Sequence, residues 1–193
     1  SVADAVQLPF RDDAFDGARS DRVLQHLAVP RLAFEELVRV TRPGGRVAVT
    51  DSDWGTLTLS AGDVEVDDRL VAPEWSCAET AAVGRRLRGF AAAAGLDDVA
   101  VETVTLSFTE FEAADSVLGF TGRIDRLQAA DEVSEATAQS WLASLRDAEE
   151  QFFSSLTLLT VSGTVPAEDC AVRTSPPDAI PHPEASRALS PYQ

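Results

Sequence analysis

Few residues of this 193-residue chain have the types and placement to do chemistry. His26 is one of two histidines. It stands a turn beyond the run "FDGARS" (15–20), where a general base could reach an acceptor hydroxyl; the plainer reading is a histidine that packs a helix. Asp51 closes the β-branched run "RVAVTD" (46–51), and Asp53 and Trp54 follow it. They could line a pocket, with Trp54 as its aromatic wall, or simply pack a loop. Cys77 and Cys170 match no metal or redox spacing and read as free thiols of a reducing compartment. His182 lies in a proline-rich tail, away from any apolar period.

The elements that must position these residues follow from periodicity. "FDGARS" is a short strand candidate preceded by a polar Asp12–Asp13 turn. Residues 31–40 carry apolar side chains at helical spacing (Ala33, Phe34, Leu37, Val38, Val40), Pro30 suits the first turn, and Pro43 with Gly44–Gly45 should end the helix and reverse the chain. The β-branched run 46–51 suits a strand buried on both faces. Residues 55–76 read as loop, 78–95 as a helix capped by Gly95, and 99–108 as an alternating strand. Helices are expected over 110–120 and over 135–153, the latter capped by Ser134, before a final strand at 155–163. From about Ala167 the five prolines 176, 177, 181, 183 and 191 mark a disordered tail.

This order of strands and helices describes a doubly wound α/β sheet, whose ligands bind outside the carboxyl ends of the strands. Ser20–Arg22 and Asp51–Trp54 therefore carry weight. The formal charge of −16, with every cationic side chain an arginine, argues against nucleic acid as a partner, because a phosphate backbone needs a basic face. No apolar run is long enough for a transmembrane helix, and no basic-then-apolar leader heads the chain; a cytoplasmic protein with no membrane partner is expected.

Three blocks carry a family resemblance: Asp4-Ala5 with Leu8-Pro9-Phe10; Phe15-Asp16 leading to "VLQHL"; and "RVTRPGG" before a strand. In this order and spacing, the stretch "ADAVQLPFRDDAFDGARSDRVLQHL" followed by "EELVRVTRPGGRVAVTDSDWG" resembles the second half of a class I S-adenosylmethionine-dependent methyltransferase. The similarity is to the small-molecule branch related to ubiquinone and menaquinone biosynthesis enzymes. It runs from residue 1 to about Pro166 and weakens after residue 60. The resemblance implies a Rossmann-like doubly wound sheet with its N-terminal strands absent and its last strand antiparallel, over residues 1–166. Residues 110–153 would form a helical acceptor-side insertion and 167–193 the tail.

The resemblance also implies S-adenosyl-L-methionine as cofactor and a small-molecule acceptor as substrate. Asp4 would accept a hydrogen bond from the adenine amine and Ala5 would meet the ring; otherwise Asp4 caps a turn. Asp21, with Arg22 beside it, would meet the methionine part of the cofactor, or else be a surface charge at a helix start. Asp53 and Trp54 would lie near the acceptor, and His26 is the candidate base. The family's glycine-rich turn and the acid that holds the ribose do not occur in these residues, and the family places both before the Asp-Ala pair. A truncated methyltransferase domain is therefore expected, binding cofactor weakly by itself. The alternative is a non-catalytic partial domain that pairs through an exposed sheet edge, with a second copy or with a chain supplying the missing half.

Overall fold

A computed structural model describes residues 2–61 and 82–167. The expectations for Cys77, Cys170, His182, residues 78–81 and most of the tail lie outside the described residues. Four strands form one sheet: β1 (Phe15–Asp21), β2 (Thr41–Ala61), β3 (Asp97–Phe108) and β4 (Phe152–Thr164), in the order β1-β2-β4-β3. β1 and β2 are parallel, and β4 runs antiparallel to both β2 and β3. The expected α/β sheet with an antiparallel last strand is what the chain forms.

Helix α1 (Pro30–Arg39) starts on Pro30, whose missing N–H and fixed φ suit the first turn. It buries Ala33 and Phe34. Its end differs from expectation. The helix stops at Arg39 and β2 begins at Thr41, so Pro43 and the Gly pair lie inside the strand. Gly44 N–H donates to Val165 O and Val165 N–H donates to Gly45 O, each at 2.9 Å, which ties this irregular stretch to the end of β4. The approach to β1 is clamped on the same helix. Glu36 accepts from Leu8 N–H at 2.7 Å, and Arg39 donates to Leu8 O, Phe10 O, Asp12 and Glu36. The Arg39 guanidinium holds the Glu36 carboxyl below its ordinary value.

Helix α2 (Val83–Ala93) packs beside α1. Its Gly84 is a contact requirement rather than a weakness: a Cβ there would lie 2.9 Å from the backbone of Asp51 and Ser52. Gly95, at φ +72, closes the helix end as expected. Val47 and Val49 are fully buried against these two helices, whereas Ala48 is half-buried on the other face, so the strand is not buried equally on both.

Between β3 and β4 stand α3 (Phe111–Leu118), α4 (Phe120–Ala129) and α5 (Glu135–Asp147). Ser134 Oγ accepts from Thr137 N–H at 3.1 Å, the expected cap. α5 is shorter than expected: a 3₁₀ turn at Glu149–Gln151 follows it, and Phe152 opens β4. α4 was not expected, although Phe120, Ile124 and Leu127 follow helical spacing. These helices bury Phe111, Ala114, Leu118, Phe120, Ile124 and Leu145 with Leu57, Phe152 and Leu156 of the strands. Leu156 and Val161 are an odd number of residues apart on a strand in unbroken register there. Their side chains therefore leave opposite faces, and the helical insertion and the α1/α2 layer cover opposite sides of the sheet.

Candidate functional site

β1 ends at Asp21 and the chain turns sharply. Arg22 takes a left-handed φ of +52, unusual for a residue with a Cβ, while its N–H donates to Thr50 O at 2.8 Å. A 3₁₀ turn, Leu24–His26, follows at once. Its N-terminal amides need acceptors, and the Asp51 carboxylate supplies one, taking Leu24 N–H at 2.9 Å and Gln25 N–H at 3.3 Å. The other Asp51 oxygen accepts from Ser52 N–H at 3.0 Å. Asp51 is fully buried. Burial pushes its carboxyl above the ordinary value, and the three backbone donors offset only part of that.

This anchored turn forms one wall of a cavity of about 480 Å³ at the carboxyl end of β1. Asp21, Arg22, Gln25 and His26 line it from the turn, Trp54 lines it from β2, and Ser116–Gly119 line it from the end of α3. Gly119, at φ +71, joins α3 to α4, and Asp115 holds the joint by accepting from Thr121 N–H at 2.7 Å and Thr121 Oγ1 at 2.6 Å. The Trp54 indole donates to Gln25 Oε1 at 2.7 Å.

The structure thus brings together four residues singled out from sequence: Asp21, Arg22, His26 and Trp54. His26 is exposed toward the cavity rather than packed in a helix contact. Asp53 is placed otherwise. It is 4 % exposed and does not line the cavity; Arg85 of α2 grips both its oxygens, at 2.6 and 2.8 Å, and Gly55 N–H donates to it at 3.1 Å. Asp51, weighed as a pocket residue, is the buried support of the turn. Asp4 and Ala5 are likewise not among the lining residues. Asp4 Oδ1 accepts from Val6 N–H at 3.0 Å, making a local turn, and Ala5 packs against the α1/α2 core. Gln25 and the end of α3 were missed from sequence; the strand-end position of Gln25 was the available signal.

At this cavity a half-exposed carboxylate and a half-exposed guanidinium, Asp21 and Arg22, pair 3.4 Å apart and could hold an ammonium and a carboxylate. Val117, Leu118 and Trp54 offer apolar surface opposite.

Comparison with known proteins bears on the fold. Residues 1–49 match the family model of a methyltransferase domain. A crystal structure from Bacillus halodurans C-125, assigned to the methyltransferases, superposes with a TM-score of 0.52 at 17% identity, covering 86% of this chain and 70% of that one. The chain has the class I S-adenosylmethionine-dependent methyltransferase fold, and its first 49 residues match that domain family. Over part of its length it is distantly similar to the demethylmenaquinone methyltransferases: that of Clavibacter sepedonicus is 35% identical over 71 residues, 37% of this chain and 29% of the relative. A longer match, 36% identical over 168 residues, is to an uncharacterised 37.1 kDa protein of transposon Tn4556 from Streptomyces fradiae, covering 83% of this chain and 46% of that protein. The chain spans less than half the length of either relative. No helix among the described residues is long and apolar enough to cross a membrane.

Proposed function

We propose that this chain contributes the acceptor side and the methionine end of the cofactor site to an S-adenosylmethionine-dependent methyl transfer onto a small-molecule acceptor. The observation that carries this reading is the cavity itself, where Asp21, Arg22 and His26 face Trp54 and the end of α3 at the carboxyl end of a parallel strand. When bound, S-adenosylmethionine supplies an electrophilic methyl carbon on a sulfonium, and the carbon–sulfur bond breaks as the acceptor atom takes the methyl.

The chain's own part is positional. Asp21 and Arg22 hold the charged amino-acid end, Trp54 and Leu118 exclude water and orient the acceptor, and His26 takes the proton of a hydroxyl acceptor. Asp4 and Ala5 serve the adenine end. The test is titration of S-adenosylmethionine into the 193-residue chain, followed by nitrogen–proton NMR. Weak binding that moves the Arg22, His26 and Trp54 signals is expected; shifts confined to residues away from the cavity would overturn the assignment of the site, and no shift at any concentration would overturn the reading.

One observation favours a second reading. β1 is an edge strand, and five of its seven residues are exposed. A non-catalytic module pairing through that edge would form a stable complex with a second copy or a complementary chain, which mass measurement in solution detects.

A further inference from the structure

We propose that Gln25 is a positioning residue for the acceptor wall: it latches the Trp54 indole in one orientation across the base of the cavity. The proposal rests on the methyl-transfer reading for its consequence and on geometry for its substance. Gln25 is 7 % exposed, and both ends of its amide are engaged. Oε1 accepts from Trp54 Nε1 at 2.7 Å, and Nε2 donates to Arg22 O at 3.4 Å. A carbonyl on one side and an indole N–H on the other dictate which way the amide points, because only an amide offers a donor and an acceptor in that arrangement. The backbone beneath it is fixed as well, by the buried Asp51 carboxylate on Gln25 N–H and by the Arg22 N–H bond to Thr50 O.

The latch has a chemical result. The indole N–H is directed at Gln25, so Trp54 meets a ligand with carbon surface and not with that donor. It also joins the side chain of Trp54 on β2 to the turn that carries Arg22 and His26, a turn already tied to β2 by Asp51 and by the Arg22 N–H bond to Thr50 O. Gln25 would therefore determine which acceptors fit without touching the reacting atoms.

The test uses the 193-residue chain with Trp75→Phe and Trp141→Phe, leaving Trp54 as its tryptophan. Gln25→Met keeps the volume and removes the acceptor; Gln25→Glu keeps an acceptor for the indole. The expected result is that the Met variant raises acrylamide quenching of Trp54 by about twofold or more and shifts its emission, while the Glu variant stays near the parent. Equal behaviour of the two variants, or no change in either, overturns the proposal. In the unsubstituted chain the Trp54 indole N–H should exchange slowly in nitrogen–proton NMR spectra, and exchange at the rate of an exposed indole overturns it even where the variants fail to fold. Titration with S-adenosylhomocysteine reports separately on the methyl-transfer reading. A rigid Trp54 without binding removes that reading and leaves the latch; binding with a freely exchanging Trp54 removes the latch alone.

Discussion

The two apolar cores of this chain sit on opposite faces of one sheet and are assembled differently. Under α1 and α2, β-branched strand residues (Val47, Val49, Val161) meet one stripe from each helix (Phe34, Leu87, Phe90). On the other face, most buried side chains come from α3–α5, and the strands contribute Leu57, Ala61, Phe152 and Leu156. The cavity lies where the two regions meet, and its walls reflect their origins. The wall from the first region is polar and held by backbone hydrogen bonds to a buried carboxylate. The wall from the second is largely apolar and held by packing and by a glycine joint. A cavity built this way keeps its polar wall rigid while the apolar wall is free to vary, since the packing of α3–α5 constrains volume more than chemistry.

The strongest challenge to that comparison asks whether the regions unfold together. Phe34→Ala in the first core and Phe120→Ala in the second should each cost about 3–5 kcal/mol, as both side chains are essentially buried. β2 and β4 run through both regions, so each variant should give one urea transition, coincident by circular dichroism and by tryptophan fluorescence. Separate transitions in Phe120→Ala would show the insertion to be an independent unit.

A smaller effect is expected where α2 meets β2. Arg85→Ala leaves the buried Asp53 carboxylate with only its Gly55 N–H bond, yet Arg85 itself is half-exposed and screened. A loss of about 1–2 kcal/mol in urea midpoints is expected, below that of a fully buried pair. Asp53→Asn should lose less, because no uncompensated charge remains. Equal losses would mean that burial of the carboxylate is not what makes the pair matter.

The same contrast explains what could be read from sequence. The α1/α2 region was legible because its signals are local: Pro30 at a helix start, a stripe at 33–40 and a β-branched run after it. The insertion was only partly legible. α4 was not read, and Gly119, counted inside the helix expected over 110–120, instead joins two helices. The far half of β2 was read as loop because Trp54–Leu57 interrupt its register with β4, and only pairing of Thr58–Ala61 with Phe152–Ser155 reveals a strand. At the site, Asp21, Arg22, His26 and Trp54 followed from strand ends. Asp53 misled, because its partner Arg85 lies on a distant helix. Gln25 was missed although it lies just beyond a strand end, because its role depends on a side chain 29 residues away.

Gly119→Ala probes the joint of the acceptor wall. An alanine at φ +71 costs about 1–2 kcal/mol, and the strain falls where α3 meets the cavity. The variant should remain folded by circular dichroism and change the environment of Trp54, which lines the same cavity, more than that of Arg22 in nitrogen–proton NMR spectra. Equal changes at both would mean that the two walls are not separable.

Asp51→Asn has the smallest net effect expected at neutral pH, because it weakens charge-assisted hydrogen bonds and also removes a buried charge. Its signature is in the pH dependence. The folded carboxyl titrates above its ordinary value of 3.8, so the folded state holds its proton more tightly than the unfolded state. Stability from this group is fully present below the unfolded value and is lost as pH rises through the folded one. The difference in stability, parent minus variant, should therefore fall as pH is raised from about 4 toward neutrality, in urea melts at successive pH values. The Glu36 carboxyl, held low by Arg39, acts in the opposite direction but equally in both proteins, so it cancels in the difference. A difference that rises with pH would mean that the backbone donors around Asp51 outweigh its burial, and that the polar wall is held by the charge rather than in spite of it.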